Sequence, residues 1–172
     1  MARRFFLSDT ASDVTVGTLF NYKMVTTILN AATTQSVALA PAETLSGYAR
    51  TQVLLPGGRG ATSDYTITVQ VTTGNASVTV EPRLYRLNAA NTRVGSFTSF
   101  APQTANAGTL TFNATAVSLG TWESTSRLEI EYVFVNTQEH GGGNTIEIGL
   151  NNVNSASFAP DWETRHITVA GR

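Results

Sequence analysis

Cysteine is absent from the 172 residues, which excludes disulfides, thiolate metal sites and a cysteine nucleophile. Stability therefore has to come from packing. Lysine occurs once, at Lys23, and histidine twice, at His140 and His166. With eleven basic and twelve acidic side chains the formal charge is -1, and charged residues make up only 13% of the chain. That is about half the usual share of roughly 25%. Nucleic-acid binding rests on clustered Lys and Arg that neutralise phosphates, so nucleic acid is not an expected partner. No apolar run approaches the ~18 residues of a membrane span. The opening Met-Ala-Arg-Arg-Phe-Phe-Leu turns polar at Ser8, unlike a signal peptide, so the expectation is a protein with no membrane partner that is not exported by that route. The surface is left to Thr, Ser, Asn, Gln and Ala, a neutral composition suited to dense assembly.

What is present is strand periodicity. In DYTITVQV, Tyr65, Ile67, Val69 and Val71 alternate with Thr66, Thr68 and Gln70, the period-two signature of a half-buried strand. SRLEIEYVFVN places Leu128, Ile130, Tyr132 and Phe134 on one face, while the other begins with Glu129 and Glu131 and ends with Val133 and Val135. NTIEIGL and GTLTFNATAV repeat the alternation. SVTVEPRLYRLN starts with Val78 and Val80 in phase, but Tyr85 and Leu87 fall out of phase. Pro82 lacks the amide a central ladder needs, which predicts a bulge or edge near it. Weaker strands are expected at Tyr48–Leu54, Val94–Phe100 and His166–Val169. Turn chemistry separates these runs at Pro56-Gly57-Gly58-Arg59-Gly60, Gly74-Asn75, Asn88–Asn91 and His140-Gly141-Gly142-Gly143. The expected fold is all-β, a two-sheet antiparallel sandwich with the jelly roll as first choice.

The first 45 residues read differently, with short apolar islands at Val25–Leu29 and Val37–Leu39 among Ala, Thr, Asn and Gln. They predict an extended N-terminal arm over residues 1–45, lying on its own domain or on a neighbouring subunit, ahead of a sandwich domain over 46–172. Phe5 and Phe6 are adjacent in a strand-like segment and so point to opposite faces; one of them should meet a second surface.

Catalytic constellations are thin. Glu129 and Glu131 are the best carboxylate pair, ~6.6 to 6.8 Å apart along one strand face, and read as a solvated face of an antiparallel sheet. Glu139 and His140, joined by Asp161, Glu163 and His166, lack metal-ligand spacing. Neither histidine accompanies a nucleophile motif. The glycine-rich loop at Pro56–Gly60 is followed by a strand where a phosphate cradle needs a helix. No cofactor or metal is called for, and the expectation is a protein that is not an enzyme. Candidate contact residues are Arg4, Phe5 and Phe6 in the arm, Arg59 at a loop tip, and Trp122 and Trp162 in loop-like contexts. Exposed indoles, or Tyr48, would also suit stacking on sugar rings.

The opening ArgPhePheLeuSerAspThrAlaSerAspVal, together with PRLYRLNAANTRV and SRLEIEYVFVN, resembles tailed-bacteriophage virion structural proteins of the β-sandwich type. The resemblance covers the first thirteen residues and roughly residues 65 to 136. It implies a virion location and a capsid decoration or cement role. The implied partners are the major capsid protein or another virion protein, and copies of the chain itself, with a trimer as the natural guess. A tail, neck or fibre component, possibly a carbohydrate-binding module that recognises a host glycan, is the alternative.

Overall fold

A computed structural model describes residues 3–13, 19–51, 63–121 and 125–159, and the side chains of Arg3, Arg4, Ser63, Ser96 and residues 156–159 are outside that description. Among the described residues every regular element is a strand. These are β1 (Arg3–Ala11), β2 (Asn21–Val25), β3 (Thr33–Leu39), β4 (Thr44–Thr51), β5 (Ser63–Thr73) and β6 (Asn75–Leu87). They continue with β7 (Arg93–Ser99), β8 (Gln103–Ala105), β9 (Gly108–Val117), β10 (Arg127–Asn136), β11 (Asn144–Leu150) and β12 (Ala156–Ala159). Hydrogen bonds link them in the order β3-β11-β5-β12-β1-β2-β4-β10-β6-β7, with β8 also on β6 and β9 on β5. The path divides into layers of eight and four strands, the two sheets of a β-sandwich. All pairings are antiparallel except β2 on β4, which is parallel.

The core follows the alternation. Tyr65, Ile67, Val69 and Val71 of β5, Ile146, Ile148 and Leu150 of β11, and Leu128, Ile130, Tyr132 and Phe134 of β10 are all buried. The residues expected to form an arm contribute to the same core. Phe5 and Leu7 of β1, Met24 of β2, and Val37 and Leu39 of β3 belong to one cluster with all the residues just named except Val71. Over its described part, residues 1–45 are thus three strands of the sandwich, lying on their own domain. β4 begins at Thr44, so no boundary falls between 45 and 46. The physical reason is long-range pairing. Short apolar islands cannot close a core locally, but β1 on β12 and β3 on β11 borrow one from strands over a hundred residues away.

Pro82 interrupts nothing on the β10 side, where β6 keeps an unbroken register from Val78 to Leu87. Its carbonyl accepts from the Phe100 amide at 3.0 Å, so its donorless nitrogen faces the gap between the end of β7 and the start of β8. The irregularity lies elsewhere, between Leu84 and Arg86 against β7 and between Asn75 and Thr79 against β8. A proline fits a two-sided strand here because its neighbour on that side changes at that residue.

Candidate functional site

The outer face of β4, β10 and β6 carries the densest polar chemistry among the described residues. Alternation sends Ser46, Tyr48 and Arg50 of β4 to this face, with Glu129 and Glu131 of β10 and Arg83 and Tyr85 of β6. The register then aligns them: Glu129 lies opposite Arg50 and Tyr85, and Glu131 opposite Tyr48 and Arg83. This explains the phase change in SVTVEPRLYRLN. Tyr85 leaves the core face because it serves the other side of the sheet. Arg93, at the start of β7, folds back over the cluster, its guanidinium 3.6 Å from the Tyr85 ring centre and 5.3 Å from that of Tyr48. Phe97 stacks on Tyr85 at 5.2 Å and is itself 54% exposed.

Glu129 is completely buried, and its carboxylate is held from two sides. Arg50 Nε donates to Oε2, and Arg93 Nε donates to Oε1 at 2.7 Å. Glu131 accepts from Tyr85 Oη at 2.9 Å, Ser46 Oγ at 2.9 Å and Tyr48 Oη at 3.1 Å, with Arg93 Nη2 at 3.5 Å. Burial alone would raise the Glu131 carboxyl, but the hydrogen bonds from Tyr85, Ser46 and Tyr48 and the Arg93 cation together hold it below its ordinary value. Burial, followed by the bond to Glu131, pushes the Tyr85 phenol up to about 12. Tyr48 is raised as well, by burial first and then by the Glu131 charge.

This overturns the reading of Glu129 and Glu131 as a solvated face. Two carboxylates, two guanidinium groups, two phenols and a hydroxyl form one compensated network. A carboxylate depressed in this way stays ionised near neutrality and has no proton to give as a general acid there. The arrangement can stiffen a sheet, fix its register against β7, and present an aromatic and cationic rim of Phe97, Tyr85 and Arg93 to solvent. Arg50, Arg93, Ser46 and Tyr85 were not singled out from sequence. The one available signal was the out-of-phase Tyr85.

The contact residues proposed from sequence fare differently. Phe5 is 1% exposed in the core while Phe6, on the opposite face, is half-buried. Burial of Phe5 in its own sandwich removes it from any contact surface, because its strand lies between β12 and β2 and its ring belongs to the core cluster. Arg4 sits in β1 opposite Phe158 of β12. Arg59, Trp122 and Trp162 lie outside the described residues, as do Asp161, Glu163 and His166. Glu139 and His140 are exposed in the turn between β10 and β11. Tyr48 is half-buried with its hydroxyl engaged by Glu131, so it offers no open ring for stacking.

No family model matches the chain, and no curated protein matches it. Among solved structures, a CocE/NonD family hydrolase from Staphylococcus aureus is similar, with a TM-score of 0.52 and 9% identity, covering 93% of this chain. The chain spans 36% of that hydrolase's length, so the likeness is to part of it. The enzymatically active domain of bacteriophage CBA120 tailspike protein 4 overlays at a TM-score of 0.40 and 13% identity, over 77% of this chain and 18% of its own. The infectious bursal disease virus Gx strain structure overlays at 0.39 and 11% identity, over 75% of this chain and 31% of its own. At these identities the hydrolase supports the sandwich fold alone.

Proposed function

We propose that this chain is a non-enzymatic structural protein of a tailed-phage virion, a decoration or cement protein that attaches to the major capsid protein or another virion protein. The observation that carries the reading is the division of labour across the molecule. The one convergent carboxylate pair among the described residues is spent on an internal network, while large apolar side chains stand out on a surface poor in charge. Leu29 is 88% exposed, and Phe97 and Val153 are each 54% exposed. Isolated exposed apolar residues are ordinary, but on a surface this neutral they have few charges beside them to disfavour burial against a partner. Many modest contacts repeated by symmetry would give firm attachment by avidity. The test is co-sedimentation of the purified chain with shells that lack it. Saturable binding, weakened at least tenfold by Phe97→Ala or Leu29→Ala, is expected, and no binding at any loading would reject the role.

A second reading, a tail, neck or fibre module that binds a host glycan, is favoured by the stacked Tyr85–Phe97 pair beside Arg93. An open aromatic face flanked by hydrogen-bond donors is what sugar rings stack upon. Glycan-array binding abolished by Phe97→Ala would support it, and a blank array would remove it.

A further inference from the structure

We infer that the free edge of β3 is a self-association edge, on which a second copy of this chain adds its own β3 antiparallel across a two-fold axis. Among the described residues β3 pairs only with β11, in an unbroken register from Thr33–Leu150 to Leu39–Asn144. Three contacts show which main-chain groups face outward. Thr72 Oγ1 donates to the Glu147 carbonyl at 3.2 Å, on the β5 side of β11. Glu147 is the residue opposite Ser36, so Ser36 turns its N–H and C=O away from β11. The Ser36 carbonyl accepts only a side-chain bond, from Gln35 Nε2 at 2.7 Å. The Ala40 amide, of the same parity, is taken by the Glu43 carboxylate. By the two-residue alternation of antiparallel ladders, Thr34, Ser36 and Ala38 therefore present their main-chain donors and acceptors outward, and all three residues are exposed.

Exposed strand edges are templates for further pairing, and folded proteins blunt them with charge, proline, bulges or brevity. The other edges here carry such devices. β7 starts with Arg93, has Gly95 at φ 75 and is out of register with β6 between Leu84 and Arg86. β8 has three residues. β9 bulges beyond Ala114 with Ala116 at φ 53, and Gln103 reaches across to the Thr111 carbonyl at 2.7 Å. β3, with the sequence TTQSVAL, has no charge, proline, glycine or bulge over seven residues.

The occupant that fits is the same strand. With Ser36 at the axis, Thr34 of one copy faces Ala38 of the other, so the cross-strand pairs are small and uncharged, and the contact closes as an isologous dimer. Glu43 already takes the outward Ala40 amide, so the pairing ends at Ala38, and the acids in line with the axis, Glu147 of each β11, would lie three strand spacings apart. That is roughly 14 Å, beyond the ~8 to 10 Å screening length at moderate salt. The sheets of two copies would join into one sheet continuous across the axis. This inference stands apart from the virion reading, since it requires no capsid.

The experiment is sedimentation equilibrium of the full chain, with residue-resolved amide exchange. A concentration-dependent dimer is expected, with the Thr34, Ser36 and Ala38 amides protected in step with dimer formation. Ser36→Pro removes a donor that points away from β11, so it should abolish the dimer while leaving circular dichroism unchanged. Ser36→Lys, which keeps the backbone donor and adds an edge charge, serves the same purpose if the proline variant fails to fold. A chain that stays monomeric with freely exchanging β3 amides overturns the proposal, as does a dimer that survives both variants. Protection of these amides only on added capsid shells also overturns it, in favour of a partner's strand at the same edge. Loss of shell binding by a chain that still dimerises would reject the virion reading alone.

Discussion

Replacing Glu129 by Gln keeps its shape and removes its charge at the centre of a buried network. The Glu129 side chain is 0% exposed and that of Arg50 3%, so Arg50 loses its facing carboxylate where water cannot substitute. Removing one partner of a buried ion pair costs about 3–5 kcal/mol. The Arg93 side chain is 36% exposed, so solvent can take over there and its share is at most about 1 kcal/mol. Glu131→Gln should be milder, about 1–2 kcal/mol, because the Ser46 and Tyr48 hydroxyls can still donate to the amide oxygen and the Tyr85 hydroxyl can accept from the amide nitrogen. The assay is urea unfolding with the slope checked for constancy. In a chain of this size 1 kcal/mol moves the melting temperature by roughly 2–4 °C, so Glu129→Gln should lower it by roughly 6–20 °C. A paired change, Arg50→Met with Glu129→Leu, removes both desolvation costs and should recover most of the loss. The reasoning is refuted if Glu129→Gln costs under about 1 kcal/mol, or if the paired change is no better than the single one.

The depressed Glu131 carboxyl makes its contribution pH-dependent. That contribution is present above the ordinary value of 4.5 and lost as pH falls through the lower folded value, so the gap between wild type and Glu131→Gln should be flat above pH 4.5 and close below it in urea midpoints. Tyr85, raised from 10.0 to about 12, contributes in the opposite sense, fully below pH 10 and lost through about pH 12. Ultraviolet titration should show one late phenol missing from Tyr85→Phe. Gly47 lies under the Phe20 ring, which a Cβ would strike at Cε1 and Cζ. Phe20 is itself wedged against Tyr22, Tyr132 and Phe134, so Gly47→Ala should cost about 1–3 kcal/mol by overpacking, read by thermal melts. Phe5→Ala should cost about 3–5 kcal/mol and Phe6→Ala clearly less in the same melts; equal losses would contradict their placement on opposite faces.

Particular strands show how far the one-dimensional pattern reaches. The alternation of Tyr65 to Val71 and of Leu128 to Phe134 was legible because a side-chain period of two is a local property of the backbone. It determined an all-β chain, the face each strand buries, and the opposed directions of Phe5 and Phe6. Composition likewise determined that the molecule holds together by packing and not by disulfides. The arm was misplaced for the opposite reason. The apolar islands at Met24 and Val37 look insufficient alone, and their adequacy depends on β4, β11 and β12, which no local window contains. The same holds for Glu129 and Glu131. Alternation puts them on the second face of β10, but whether that face is wet depends on what lies across two registers. Only the pairing of β10 with β4 and β6 brings Arg50, Tyr48 and Tyr85 against them, and only the fold-back of β7 brings Arg93. Strand direction and face are local consequences of the chain, while partners across a sheet are set by long-range hydrogen bonding. The buried network and the undefended β3 edge both belong to that second kind.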